Sequence, residues 1–225
     1  MFNSIGFKGY TDARKSFYDK LSPVIIETSQ ISDPITIDSK FLQKLNTYFA
    51  DVLKRRDDDN KMSRKESKEY KERLKEHFPE MLPVFEHNGP SVYWFQIDYS
   101  SGLTNEDILK QYLSIRKDKS KPDGWWSRGK IQRKDIPTTV LYLGKVESGI
   151  HIRLINHIGL GHRFTSSLKL QKWMPGLQNM TLRFQFLKLD AEMKDYVEDI
   201  EKVLWDKYKP LLGAAPKIKA SNYSS

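Results

Sequence analysis

A strand-like run, a glycine turn and a helical run follow one another between Thr138 and His157, and no other stretch constrains the fold as strongly. The run opens with β-branched and apolar residues, breaks at Gly144 and resumes at helical spacing after Ser148. From residue 138 to residue 175 the acidic Glu147 stands against the basic side chains of Lys145, Arg153, Arg163, Lys169 and Lys172. A folded segment tolerates this imbalance best when an anion neutralises it, so we expect the segment to face one.

The composition narrows the class of anion. The 225 residues carry a formal net charge of +9, and the isoelectric point is about 9.4. This balance favours acidic partners, with nucleic acid before an anionic membrane. The chain has no cysteine, which excludes disulfides and thiolate chemistry. It shows no signal-like apolar run at its start and no stretch of the roughly 18 apolar residues that a span needs, so we expect a soluble cytoplasmic protein.

The glycine and proline of the turn Asn88-Gly89-Pro90 predict a domain boundary at this point of the chain. Residues 1–89 predict a helical N-terminal region. Its expected helices run from Thr11 to Leu21, from Asp38 or Ser39 onward, and from Ser63 to about His77. In the last of these, opposite charges three and four residues apart favour a solvated face over a DNA-binding arm. Residues 90–213 form the second domain, and residues 214–225 are a small, basic and polar tail.

The second domain has α+β character. Its expected strands are Ser91–Ile97, Thr138–Leu143 and Met180–Leu187, and its main helices are Ile150–Ile158 and Ala191–Tyr208. Three strands with helices between and around them are typical of an α+β domain. Residues 100–137 form a long insertion between the first two strands, beginning with a helix that Thr104 and Asp107 cap.

The insertion interleaves basic residues with paired tryptophans. The residues concerned are Lys119, Lys121, Trp125, Trp126, Arg128, Lys130 and Arg133. This pattern suits a loop that lies on a phosphate backbone and stacks on bases, and Arg163, Lys169 and Lys172 extend the basic surface. The alternative is that the tryptophans anchor the loop to the core.

The last helix carries one carboxylate in an unusual position. Glu201 lies at the edge of an apolar stripe formed by Val197, Leu204 and their neighbours at helical spacing, whereas Glu198 is expected to point away. A carboxylate beside the core is poorly solvated and needs a partner. That partner is either a divalent cation or an arginine, with Arg153 and Arg183 as the candidates.

The helix after Gly144 supplies groups for phosphate chemistry. Arg153 and His157 are four residues apart and share one flank, and Tyr142 and Lys145 leave the preceding strand. Arginine offers a planar fork for phosphate oxygens, and tyrosine, histidine or lysine can move a proton. A metal ligand is missing locally, and Glu201 can supply it.

These residues, in this order, resemble the GIY-YIG nuclease family. Ser91-Val92-Tyr93 resembles the first motif strand, and Leu141-Tyr142-Leu143-Gly144-Lys145 resembles the second. Arg153 matches the arginine of the first helix, His157 the histidine four residues later, and Glu201 the metal-binding glutamate nine residues before Pro210. The resemblance covers about residues 90–213. It implies a three-stranded antiparallel sheet and an endonuclease that hydrolyses DNA phosphodiester bonds.

The resemblance also implies roles for the matched residues. Glu201 would hold Mg²⁺ or Mn²⁺ on a phosphate oxygen, and Arg153 would stabilise the charge of the transition state. Tyr93 would activate or position the attacking water with help from Lys145 or His157, and Tyr142 would order the water or the phosphate. The chain departs from the pattern in three places, because Ser91 replaces a glycine, Gly213 replaces an asparagine, and the insertion separates the two tyrosines.

The long insertion and the chain length resemble the restriction-endonuclease branch of the family. A restriction enzyme for palindromic sites usually pairs, so a homodimer is expected. The departures favour an alternative, a catalytically silent nucleic-acid-binding module on the same scaffold. Basic charge and stacking serve RNA as well as DNA, so the class of nucleic acid stays open at this stage, as does a protein-interaction domain.

Overall fold

The computed structural model describes residues 30–57, 64–116, 131, 137–162 and 164–216. Across these ranges the chain forms seven α-helices and one antiparallel sheet of four strands. The α+β class is therefore confirmed, whereas the expected count of three strands is one too few. The expected helix from Thr11 to Leu21 and most of the tail lie outside the described residues.

The sheet is built around the strand that opens the second domain. The strands are β1 (Ile35–Ile37), β2 (Ser91–Asp98), β3 (Val140–Val146) and β4 (Thr181–Lys188). Their order across the sheet is β1-β4-β2-β3. Both neighbours of β2 run antiparallel to it, so that Tyr93 lies between Gly144 of β3 and Phe186 of β4. The three strands expected from the sequence therefore form one continuous block.

The additional strand comes from the region that was expected to be helical. Ile35 and Ile37 of β1 are buried and pair with Phe184 and Leu182 of β4. Three residues are too few for alternation to stand out in a sequence, which is why β1 was missed. The β1 residues belong to the same buried cluster as Tyr93, so the core continues across the predicted boundary at residue 89.

The helices largely match the expected ones. They are α1 (Ser39–Asp57), α2 (Arg64–His77), α3 (Leu82–Glu86), α4 (Asn105–Arg116), α5 (Ile150–Ile158), α6 (Leu170–Trp173) and α7 (Val197–Tyr208). The Asp38 carboxylate accepts the Phe41 amide at 2.8 Å, and the Asp107 carboxylate accepts the Thr104 amide at 2.9 Å, so both expected caps exist. The last helix starts late, because residues 191–196 form a 3₁₀ segment before α7. No helix in the described ranges is both long and apolar enough to cross a bilayer.

The sheet buries both of its faces. Val92 and Trp94 of β2 pack in one cluster with Ile200 and Leu204 of α7. The alternate residue Tyr93 belongs to the larger cluster, which also contains the apolar stripe of α5. Helices α7 and α5 therefore cover opposite faces of β2, and side chains that extend beyond the edge of the sheet can meet.

The chain beyond α7 covers the outer edge of β3. The amides of Leu211 and Leu212 donate to the carbonyls of Val140 and Leu141 at 2.9 and 2.8 Å. Ile131, a described residue of the insertion, bridges to Leu212 in turn. The edge strand that carries Tyr142 is thus paired on both sides, and the insertion returns to the same edge at Ile131.

Candidate active site

Two tyrosines lie on neighbouring strands with a glycine between them. Tyr93 is paired with Gly144, and the rings of Tyr93 and Tyr142 are 6.2 Å apart at an angle of 30°. A Cβ atom on Gly144 would lie 2.7 Å from the Tyr93 hydroxyl and 2.9 Å from Cε1 of Tyr142. Only a glycine leaves room for both rings here. It lies within β3, which continues to Val146, and not in the turn that the sequence predicted at this point.

His157 of α5 is the third member of this aromatic group. Its Nε2 atom lies 3.0 Å from the Tyr93 hydroxyl, and its Nδ1 atom accepts the Leu168 amide at 3.1 Å. The side chain is buried, and burial, aided by the positive charge of Arg153, lowers the pKa of His157 to about 3. The imidazole is therefore neutral at physiological pH.

Burial also keeps both tyrosines protonated. It raises the pKa of Tyr93 well above its ordinary value, with Tyr142 adding to the shift. It likewise raises the pKa of Tyr142, which is partly exposed. The charges of Glu201 and Arg153 act on both hydroxyls in opposite directions. The carboxylate of α7 and the guanidinium of α5 therefore both influence the titration of the tyrosine pair.

Glu201 is the most perturbed carboxylate of the site. Burial raises its pKa to about 7, with Glu198 adding to the shift and Lys145 and Arg153 opposing it. Within the described part of the chain, no hydrogen bond or ion pair engages its oxygens. Arg183, one of the expected partners, instead donates to Asp98 at 2.8 Å. Glu201 is therefore a poorly solvated carboxylate with incomplete compensation, as its position on the apolar stripe predicted.

A second carboxylate was missed by the sequence analysis. Glu198 was expected to point away, yet its Oε1 atom lies 3.5 Å from the ammonium of Lys145. Residues three apart on a helix share a face, so Glu198 follows Glu201 to the side of the site. That spacing was the available signal. Lys145 thus forms an ion pair with Glu198, and its positive charge opposes the rise in the pKa of Glu201.

Arg153 is exposed and stands apart from this ion pair. In the ranges that the structure describes, its guanidinium makes no ion pair and no hydrogen bond. Its charge nevertheless acts on Tyr93, Tyr142 and Glu201. Of the six side chains predicted for catalysis, Tyr93, Tyr142 and His157 are in contact, the charges of Arg153 and Glu201 act on both tyrosines, and that of Lys145 acts on Glu201.

Gly213 also belongs to this group, in a role that the sequence did not reveal. Its φ angle is +118°, which favours glycine. A Cβ atom there would lie 3.3 Å from the ring of Tyr142. The residue that replaces the expected asparagine therefore lets the backbone after α7 lie against the tyrosine.

Most of the residues predicted to contact nucleic acid belong to segments outside the described ranges. Lys119, Lys121, Trp125, Trp126, Arg128, Lys130, Arg133 and Arg163 lie outside the described residues. Lys172 is partly buried, and Lys169 is only 5% exposed, between the buried residues Leu168 and Leu170. The side chain of Lys169 therefore offers little surface to a nucleic acid.

The other histidines do not gather into a metal site. His151 stacks on Phe85 at 5.3 Å and lies 3.3 Å from the ammonium of Lys71, on the N-terminal side of the molecule. No group of three or more His, Cys, Asp or Glu side chains suited to a metal ion occurs in the described ranges. The candidate donors near the tyrosines are Glu201 and Glu198.

Comparisons with protein-family models, with curated proteins and with solved structures find no match for this chain. The function must therefore be inferred from the chemistry and geometry of the site.

Proposed function

We propose that this protein is a divalent-metal-dependent endonuclease that hydrolyses phosphodiester bonds in DNA. The observation that carries the proposal is the convergence of an aromatic pair, a lysine, an exposed arginine and a poorly compensated carboxylate from β2, β3, α5 and α7. The net charge of +9 supports an anionic polymer as substrate.

The carboxylates of α7 fit a small divalent cation. Glu201 has a pKa raised to about 7, because its charge is poorly solvated and only partly compensated. A cation would complete that compensation. Mg²⁺ and Mn²⁺ prefer oxygen donors, and Mg²⁺ binds through one or two carboxylates and retains several waters, so a site with few protein ligands suits it. When bound, such an ion polarises a phosphate oxygen and lowers the pKa of a coordinated water.

The remaining side chains suit the other requirements of the reaction. Arg153 is exposed and has no hydrogen bond or ion pair in the described part of the chain, so its planar fork can turn to a phosphate. Its charge would stabilise the negative charge that develops in the transition state. Lys145 is held beside Glu198 and supplies a second positive charge near the tyrosines.

Cleavage of supercoiled plasmid by the purified protein tests the proposal. We expect nicking that requires Mg²⁺ or Mn²⁺ and that is abolished in Glu201→Ala and Glu201→Gln, while both variants still bind DNA. Glu192→Gln, an exposed glutamate in the 3₁₀ segment before α7, is the matched control and should cleave like the wild type. Intact plasmid under several divalent ions, with a folded protein, would contradict the proposal.

A second candidate is a nucleic-acid-binding module without catalytic activity. The observation that favours it is that Tyr93 is only 1% exposed and bonded to His157, so this tyrosine does not reach a substrate. The module would bind DNA in a salt-dependent manner without nicking it. Cleavage that is lost in Arg153→Ala would eliminate this candidate.

A further inference from the structure

The hydrogen bonds of His157 determine which of its nitrogens carries the proton. The Leu168 amide can only donate, so Nδ1, 3.1 Å away, must present its lone pair. A neutral imidazole has one donor and one acceptor nitrogen. Nε2 therefore carries the hydrogen, and it donates to the Tyr93 oxygen at 3.0 Å.

This tautomer leaves His157 without a free lone pair. To take up a proton at Nδ1, the ring would have to replace an accepted hydrogen bond by two donors facing each other across 3.1 Å. The surroundings also disfavour a protonated imidazole, because His157 is only 2% exposed and packs against the rings of Tyr93, Phe95 and Tyr142. The charged group that acts on it is Arg153, which also opposes protonation.

The same bond excludes His157 as the acceptor of the Tyr93 hydrogen. Because the Tyr93 oxygen accepts from His157, its own hydrogen must point elsewhere. The ring of Tyr142 lies on the neighbouring strand, with its centroid 6.2 Å from that of Tyr93. Gly144 leaves room for the Tyr93 hydroxyl in this position, since a Cβ there would lie 2.7 Å from the Tyr93 oxygen.

We propose that His157 is a positioning residue that acts as a permanent hydrogen-bond donor to Tyr93 and takes up no proton during the reaction. Tyr93 in turn packs against Tyr142, which is the more exposed of the two tyrosines. The proposal rests on the proposed nuclease function, and it replaces the role of His157 as an assisting base that the family resemblance implied.

Comparison of His157→Gln with His157→Ala tests the proposal by activity. Glutamine offers an amide oxygen and an amide N–H but no group that titrates near neutral pH. We expect His157→Gln to retain plasmid cleavage within about tenfold of the wild type and His157→Ala to lose more than about a hundredfold, whereas removal of a true base costs about 10²–10⁴-fold. His77→Gln on α2 controls for replacement of a histidine elsewhere. A folded His157→Gln as inactive as His157→Ala would overturn the proposal.

Nitrogen NMR of the wild-type protein provides a readout independent of activity. The ¹⁵N shifts of His157 should report the Nε2–H tautomer without change from about pH 5 to about pH 8. Titration of His157 in that range, or the Nδ1–H tautomer, would refute the proposal. A wild type that shows the expected tautomer but cleaves no nucleic acid would refute the nuclease function and leave the tautomer established, so the two failures are distinguishable.

Discussion

The two sides of the candidate site are built on different principles. On the aromatic side, Tyr93 and His157 are buried and hydrogen-bonded to each other, and the Leu168 amide donates to the other ring nitrogen of His157. On the charged side, Glu201 and Arg153 lie near the tyrosines, yet neither makes a hydrogen bond or ion pair within the described ranges. The first arrangement favours a fixed geometry, whereas the second retains charges that a metal ion and a phosphate would neutralise. Substitutions on the two sides should therefore affect different properties.

Arg153→Ala should have a large effect on cleavage and almost none on stability. Because Arg153 is exposed and unpaired in the described part of the chain, its loss should change the free energy of unfolding by no more than about 0.5 kcal/mol. Cleavage should fall by about 10²–10³-fold, the cost of removing one electrostatic contact to the transition state. Plasmid nicking and chemical denaturation measure the two quantities. A variant that unfolds easily would show that the charged side also stabilises the fold.

The aromatic side should make the protein sensitive to acid. The folded-state pKa of His157, about 3, lies below the ordinary value of 6.5, so the unfolded chain binds the proton first as the pH falls. The contribution of His157 to stability is complete above about pH 6.5 and should fall by about 2–3 kcal/mol by about pH 4.5. Urea denaturation at several pH values measures this loss. His157→Gln should lose less over the same range, and equal losses would contradict the prediction.

Gly144→Ala should disturb the aromatic side through sterics alone. The added Cβ would lie 2.7 Å from the Tyr93 hydroxyl, and the buried ring of Tyr93 has little room to move. We expect a loss of about 1–3 kcal/mol in the free energy of unfolding, together with reduced cleavage. Gly102→Ala is a control in open space, although its φ of +76° adds some strain of its own. A Gly144 variant as stable as the wild type would show that the tyrosines can move apart.

Glu201→Gln, which should abolish cleavage, is expected to change the free energy of unfolding only modestly, and the change should be a gain in stability. Because the pKa of Glu201 is raised to about 7, the folded state favours the protonated carboxyl, and this preference is lost as the pH rises through 7. At about pH 8.5 the free energy of unfolding of the variant should therefore exceed that of the wild type by about 1–2 kcal/mol, which is measured as a higher Tm. At about pH 5 the two proteins should differ little. Mg²⁺ should raise the Tm of the wild type and not that of the variant. A variant less stable than the wild type at high pH would indicate that an ion pair engages Glu201.

The sequence predicted best those strands and helices in which a regular pattern of apolar residues extends over many positions. The alternation of β2 and the apolar spacing of α5 and α7 were sufficient to place four of the candidate side chains, Tyr93, Arg153, His157 and Glu201, on the correct elements. The position of Glu201 on the edge of a stripe correctly indicated poor solvation, because helical geometry alone determines which residues neighbour it.

The contacts that hold the site together were beyond sequence analysis. The bond between Tyr93 and His157 joins residues 64 positions apart, and neither residue alone signals it. Strand β1 is too short for a pattern, and the role of Gly213 depends on a backbone angle. Glu198 is a different case, because its three-residue spacing from Glu201 was visible and its orientation was misjudged.

The pairing of Leu211 and Leu212 with β3 has a consequence for biosynthesis. Tyr142 rests against Gly213, a residue that leaves the ribosome long after the strand it supports. A nascent chain cannot complete the candidate site until this segment emerges and docks. The finished site would therefore be a late product of synthesis, and chains interrupted before residue 210 should lack a completed site.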